Sequence, residues 1–193
     1  MAEYMTTTGY GMTIEEAITF LNNCLDQNTN QVYVMNIHDE MLISNWNSVV
    51  SKDDIVWFLG DFAFSKYIGK ERIKKIGHLL KGHKKMVYGN HDKESVGFYN
   101  NCGFEEVCTR PTLLKNKFLL SHAPLIPTSD SSFSLFFNIY GHVHSHEAFN
   151  TATENTRCVC VERTGFTPVE IEEYNNFEEE PFINSAAAVT VER

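Results

Sequence analysis

Four short stretches carry residue types that bind divalent cations: Leu59-Gly60-Asp61, Gly89-Asn90-His91-Asp92, Ser121-His122-Ala123-Pro124 and Gly141-His142-Val143-His144. Each follows a short apolar run, so its Asp, Asn or His is expected in a turn at the end of a strand. Carboxylate and amide oxygens together with neutral imidazoles suit Mn, Fe or Zn, and a cation held this way makes water a nucleophile near neutral pH. Gly60-Asp61 alone is a common turn, and His142 and His144 alone could be two same-face strand residues. In series, they point to a metal centre. The chain shows no Ser-His-Asp arrangement and no phosphate-binding glycine loop.

The elements around these stretches follow from periodicity. Ile55 to Leu59 is a continuous apolar run of the kind buried on both faces of a central strand, and it delivers Asp61. Lys70 to Leu80 reads as a helix with Ile73, Ile76 and Leu80 inward, and Met86 to Tyr88 as the next strand. Strand, helix and strand with short links form a βαβ unit, with parallel pairing and ligands at the carboxyl ends of the strands. Earlier in the chain, Thr13 to Cys24 reads as an amphipathic helix, Gln31 to Met35 as a strand, and His38 to Val50 as a helix with Trp46 as a core anchor. Later strands are expected at Lys117 to Ser121, Phe136 to Tyr140, Arg157 to Glu162 and Pro168 to Ile171, the last two joined as a hairpin by Thr164-Gly165. Ser129 to Ser134 should be a loop beside the site, and 178–193 either a tail or an edge strand.

The four stretches, in this order, resemble the calcineurin-like metallophosphoesterases, whose sites use D-x-H, G-D, G-N-H-(D/E), H and G-H-x-H. Leu42-Ile43-x-Asn45-Trp46-Asn47 and Leu59-Gly60-Asp61-Phe62-Ala63-Phe64 look like the small bacterial and phage members. The resemblance implies an α/β (α+β) fold of two packed mixed β-sheets flanked by helices, a four-layer sandwich, over a single domain spanning 1–193. It also implies roles. Asp61 would bridge two metal ions; Asn90, His122 and His142 would complete one position with it, and His144 would belong to the other. His91 would be the general acid or phosphate contact, oriented by Asp92.

The first motif departs from the family, because no Asp-x-His occurs anywhere in the chain. Thr7 and Gly9, within Thr6-Thr7-Thr8-Gly9-Tyr10-Gly11, are one pair of stand-ins; Asn36 and His38, following the expected strand, are the other. With Thr7 and Gly9 in place, the second metal keeps only Asp61 and His144, too few for a stable site. The expected protein is thus a phosphoesterase with one firm divalent metal (Mn, Fe or Zn) and a weak second. The alternative is a catalytically impaired member of the fold serving as a binding or scaffold module.

Bulk composition narrows the partners. The 193-residue chain carries a formal net charge of -9, so duplex nucleic acid would bind against the overall field. Lys70, Arg72, Lys74, Lys75, Lys81, Lys84 and Lys85 cluster, but at helical spacing such a cluster is a solvated face. The five cysteines form no C-x-x-C pair and make a poor disulfide framework. No run is long and apolar enough for a membrane span, and the N-terminus lacks a signal-like pattern, so a soluble cytoplasmic protein acting on a small phosphorylated substrate is expected. His38, His78, His83 and His146 read as surface or capping residues.

Overall fold

The computed structural model describes residues 3–6, 31–63, 65–125, 136–144, 146 and 155–171. Its strands are β1 (Glu3–Thr6), β2 (Ile55–Phe58), β3 (His83–Val87), β4 (Phe104–Cys108), β5 (Thr112–Leu114), β6 (Phe118–Leu120), β7 (Phe137–Tyr140), β8 (Thr156–Cys158) and β9 (Val169–Glu170). The α-helices are α1 (Gln31–Val49), α2 (Ser65–Ile68), α3 (Lys70–Leu79) and α4 (Val96–Asn101). One mixed sheet has the order β4-β3-β2-β1-β9 and the other β5-β6-β7-β8, which bears out the expected pair of mixed sheets.

β2 is the central strand of the larger sheet, and its sequence Ile-Val-Trp-Phe shows why. Side chains alternate between faces, so a strand covered on both sides must be apolar throughout. Val56 and Phe58 enter one core cluster with Trp46, Val50, Ile73, Tyr99 and Phe104, which line the face covered by α1, α3 and α4. Trp57 and Leu59 enter a second cluster with Phe118, Leu120, Ile139 and Val159 of the smaller sheet. The described residues therefore form three layers: helices, the five-stranded sheet and the four-stranded sheet. Trp46 is a core anchor as expected, 3% exposed, and its indole N–H donates to the Lys81 carbonyl at 3.0 Å.

β1, β2, β3 and β4 run parallel, as do β6, β7 and β8, whereas β9 and β5 pair antiparallel with β1 and β6. The βαβ reading of 55–88 is borne out. Two expectations are not. Gln31 to Met35 is the first part of α1, not a strand: nothing between Met35 and His38 breaks a helix, and the weak β preference of Val32, Tyr33 and Val34 yields to a helix of 19 residues. Asn36 and His38 therefore lie within a helix and not in a turn at a strand end. The expected hairpin is also overturned, because β8 and β9 belong to different sheets. The chain crosses between them through a 3-10 turn, Val161–Arg163, and residues Gly165 and Phe166 with φ of 63° and 60°.

The basic cluster is largely paired. Arg72 binds Asp39, Lys70 binds Glu94 and Lys85 binds Glu106. Lys84 is buried, its ammonium donating to the Leu80 and Gly82 carbonyls after the end of α3, so it does not belong to a solvated face. His38 is buried too, and lies 3.7 Å from the Asp39 carboxylate. The expected helix Thr13 to Cys24, the loop Ser129 to Ser134, the segment 178–193, and Thr7 and Gly9 lie outside the described residues. Among those described, no helix is long and apolar enough to cross a membrane.

Candidate metal centre

β2 and β3 are neighbouring parallel strands, so the turns that follow them must come together at their carboxyl ends. Only glycine allows the closeness seen. A Cβ on Gly60 would meet the Gly89 backbone at 2.6 Å and His122 Nδ1 at 2.5 Å, and a Cβ on Gly89 would meet Asp61 Oδ1 at 2.1 Å. Gly60 has φ of 91°, the left-handed region natural to glycine. Asp61, His142 and His144 also sit there, with φ of 58°, 69° and 50°. Non-glycine residues held in this region cluster at functional sites.

Asp92 fastens the two turns. Its Oδ2 accepts from the Asp61 and Gly89 backbone N–H groups, both at 2.8 Å, and its Oδ1 from the Phe62 N–H at 3.0 Å and the Tyr99 hydroxyl at 3.1 Å. The carboxylate is buried and accepts from these four donors, a role in joining the turns that the sequence did not show. Burial raises its pKa against the pull of the three backbone N–H groups. Burial, with Asp92 adjacent, also raises that of the Tyr99 phenol.

The smaller sheet supplies the imidazoles from the turns after β6 and β7. His122 Nδ1–H donates to the Leu59 carbonyl at 2.8 Å, which fixes the tautomer and leaves Nε2 as a lone pair. That Nε2 lies 2.9 Å from Asn90 Oδ1, 3.0 Å from His142 Nδ1 and 3.2 Å from Asp61 Oδ2. Asp61 is itself aimed, its Oδ1 accepting from the His91 N–H at 2.8 Å. Asn138 secures the loop carrying His122: its amide donates to the Leu119 carbonyl and the Ser121 hydroxyl, and its carbonyl accepts from the Leu125 N–H.

Such a convergence tests the fit of a cation. With His122 Nδ1–H used, Asp61, Asn90, His122 and His142 point acceptor atoms at one another, and a proton on Nε2 can serve only part of the set. One divalent cation would serve all four, and the donors are the mixture of oxygen and imidazole nitrogen that Mn, Fe and Zn accept. Asp61, His122 and His142 alone place ligand atoms within 4.8 Å of one another. Asn90 joins them through its short contact with His122. His38 is not in this cluster. His144 is not either: its Nδ1–H donates to Glu162 Oε1 at 2.5 Å. The His91 ring is exposed beside the cluster and bears electrostatically on Asp61 and His142.

The charges couple as this packing requires. Burial opposes ionisation of Asp61, but the His122 hydrogen bond and the His91 N–H outweigh it and hold the carboxyl below its ordinary value of 3.8. Burial also disfavours the charged form of His122, yet Asp61 and the Leu59 carbonyl raise it above its ordinary 6.5. Burial and the neighbouring His122 lower His142. A depressed carboxyl contributes stability present above its unfolded pKa and lost as pH falls; a raised imidazole contributes stability present below its unfolded pKa and lost as pH rises. In chelator, the Asp61–His122 pair should stabilise the fold most between about pH 4 and 6.5. Melting curves of wild type and His122→Ala at pH 5.5 and 8.5 check this; an advantage of wild type undiminished at 8.5 would contradict it.

Comparison with known proteins bears on the fold. The uncharacterized protein MJ1445 of Methanocaldococcus jannaschii is 34% identical over 145 residues, covering 69% of this chain and 71% of the archaeal protein. The chain belongs to that protein's family. The Gene 66 protein of Mycobacterium phage L5 is 42% identical over a shorter stretch of 57 residues, 28% of this chain and 27% of the phage protein. No family model matches the chain. Among solved structures, the protein of unknown function AQ665 from Aquifex aeolicus aligns with a TM-score of 0.58 and 20% identity, over 88% of this chain and 95% of that one. That likeness is one of fold. Nuclease MPE of Pseudomonas putida aligns more loosely, with a TM-score of 0.42 and 18% identity over 61% of this chain and 56% of that one.

The sequence did not reveal the parts that hold the ligands. Asn138 was visible as a polar residue within the apolar run Phe137–Tyr140, which asks for a buried amide with partners. The Leu59 carbonyl and the Tyr99 hydroxyl had no such signal, because what they do depends on which turns come together.

Proposed function

We propose that this protein is a metal-dependent phosphoesterase of the calcineurin-like type, hydrolysing a phosphodiester or phosphomonoester with one firmly held divalent cation. The observation that carries the reading is the convergence of Asp61, Asn90, His122 and His142 on one point from both sheets. A cation bound there would polarise a phosphate oxygen and lower the pKa of water. The chain's own work is to hold that position rigidly through Asp92 and Leu59, and to place the exposed His91 imidazole where it can give a proton to the leaving oxygen. The substrate class is a small phosphorylated molecule. Cys102, Cys108, Cys158 and Cys160 form no disulfide among the described residues, which fits a reducing, cytoplasmic setting.

A second reading, a fold that binds a cation without turning over, draws on the missing Asp-x-His. The two are separated by one experiment. The purified chain is stripped, loaded with Mn and analysed for metal and for hydrolysis of bis-p-nitrophenyl phosphate. About one tightly held ion per chain with Mn-dependent turnover is expected. No bound ion would sink both readings, and one ion without turnover on phosphodiesters or phosphomonoesters would favour the second.

A further inference from the structure

Asn138 is an amide inside an apolar strand. Phe137 and Ile139 of β7 pack into the core shared by the two sheets, so Asn138 turns to the other face, and it is still only 4% exposed. A buried amide is costly unless its polar atoms are bonded, and here each is. One amide N–H donates to the Leu119 carbonyl at 2.8 Å and the other to the Ser121 hydroxyl oxygen at 2.9 Å, while Oδ1 accepts from the Leu125 N–H at 2.9 Å. These partners fix which way the amide faces, since the flipped form would set oxygen against the Leu119 carbonyl and N–H against the Leu125 N–H. Ser121 is buried as well and extends the hold: its hydroxyl donates to the Ala123 carbonyl at 2.8 Å. All four bonds go to the segment that carries His122.

The backbone ladder between β6 and β7 does not reach so far. It continues past the strands with the Ser121 N–H on the Ile139 carbonyl at 3.0 Å and the Gly141 N–H on the His122 carbonyl at 2.8 Å. After His122 the chain leaves the sheet, and Ala123 and Leu125 are held by the Ser121 hydroxyl and the Asn138 amide instead. Without that hold the turn would pivot about its last backbone bond, and the His122 ring would swing with it. The site leaves little room for such motion: His122 Nε2 lies 3.0 Å from Nδ1 of His142, which follows the strand that bears Asn138. We propose that Asn138 is the positioning residue of the two imidazoles, locking the His122 turn to the strand that delivers His142 so that both nitrogens reach one cation. This rests on the metal-dependent reading above. A donor set already converged gives up little freedom when the ion arrives, so the amide acts on how firmly the cation is held.

The test separates a hold on His122 from a general gain in stability, and its first arm needs neither metal nor activity. In stripped, 15N-labelled protein well below its melting temperature, exchange of the His122 Nδ1 proton with water reports how firmly the ring is seated against the Leu59 carbonyl. Asn138→Leu, close in size but unable to make these bonds, should speed that exchange several-fold. Val50→Ala is the control: Val50 is buried beside Gly82 at the amino end of β3, away from the site, and its truncation should lower Tm without changing the exchange. In the second arm, Mn titration is followed by electron paramagnetic resonance. Asn138→Leu should hold the ion about 10- to 100-fold more weakly than wild type, Ser121→Ala more weakly by a smaller factor, and Val50→Ala as wild type does. An unchanged exchange or an unchanged affinity in Asn138→Leu, or equal changes in Val50→Ala, would overturn the proposal and leave Asn138 a matter of stability alone. If Asn138→Leu does not fold, Ser121→Ala decides by the same two readings, and a wild-type value in either would overturn it. Wild type without a bound ion would instead sink the phosphoesterase reading, and the exchange arm then judges whether Asn138 seats His122.

Discussion

His122→Ala is expected to lose the firmly held cation, while His91→Ala keeps it and loses turnover. The contrast follows from where the two rings lie. His122 is 8% exposed and its Nε2 lies within 3.2 Å of Asp61, Asn90 and His142, so its removal takes the hub from the donor set. Affinity should fall by more than the ~10- to 100-fold typical of changes one shell further out. His91 holds Asp61 through its backbone N–H, which alanine retains, and its ring is exposed beside the donor set, where the proposed role needs it. Losing a general acid should cost roughly 100- to 10,000-fold in kcat with the metal content unchanged. Equal metal loss in both variants would remove His91 from the proposed role. Elemental analysis and kinetics on the same two preparations decide it.

Asp92→Ala is expected to be among the most destabilising single changes in the chain. Three backbone N–H groups and the Tyr99 hydroxyl would lose their acceptor together. Each buried donor left unpaired costs about 1–3 kcal/mol, so a loss of about 4 kcal/mol or more is expected. For a chain of this size that lowers Tm by on the order of 10 °C. Asp92→Asn keeps an oxygen acceptor and should fall between. Denaturant melts of the three proteins give the comparison; a loss below ~1 kcal/mol for Asp92→Ala would mean that water replaces the carboxylate and that the turns hold without it.

What could be read in advance depended on how local the signal was. The run Ile55 to Leu59 announced a doubly covered strand because its burial on both faces is written in consecutive residues. The four ligand stretches were legible because each is a turn whose chemistry is local. Gln31 to Met35 misled for a related reason: five residues carry a β preference, but the helix they join spans Gln31–Val49, and its length outweighs it. β4 was missed, its Glu105 and Glu106 lying exposed on an edge strand where polar residues are allowed. The hairpin expected at Thr164-Gly165 failed because a turn signal says that the chain reverses, not which sheet receives it. Asp92 was found as a site residue, but its partners Asp61 and Phe62 lie in the turn after β2 and Tyr99 in α4, and no pattern within one segment could state them.

The division of the donors between two sheets has a consequence for the order of events as the chain is made. Asp61 and Asn90 follow strands of the first sheet, whereas His122 and His142 follow strands of the second. A nascent chain that has emerged only through β4 holds a carboxylate, an amide and the His91 ring, but no imidazole of the ligand cluster. Two neighbouring oxygens hold a transition metal poorly, so an ion at the proposed position would be captured only after the later strands have been synthesised and docked. Under the proposed function, metal acquisition would then be the closing step of maturation, and hydrolytic chemistry would stay off until the tertiary structure that confines it is complete.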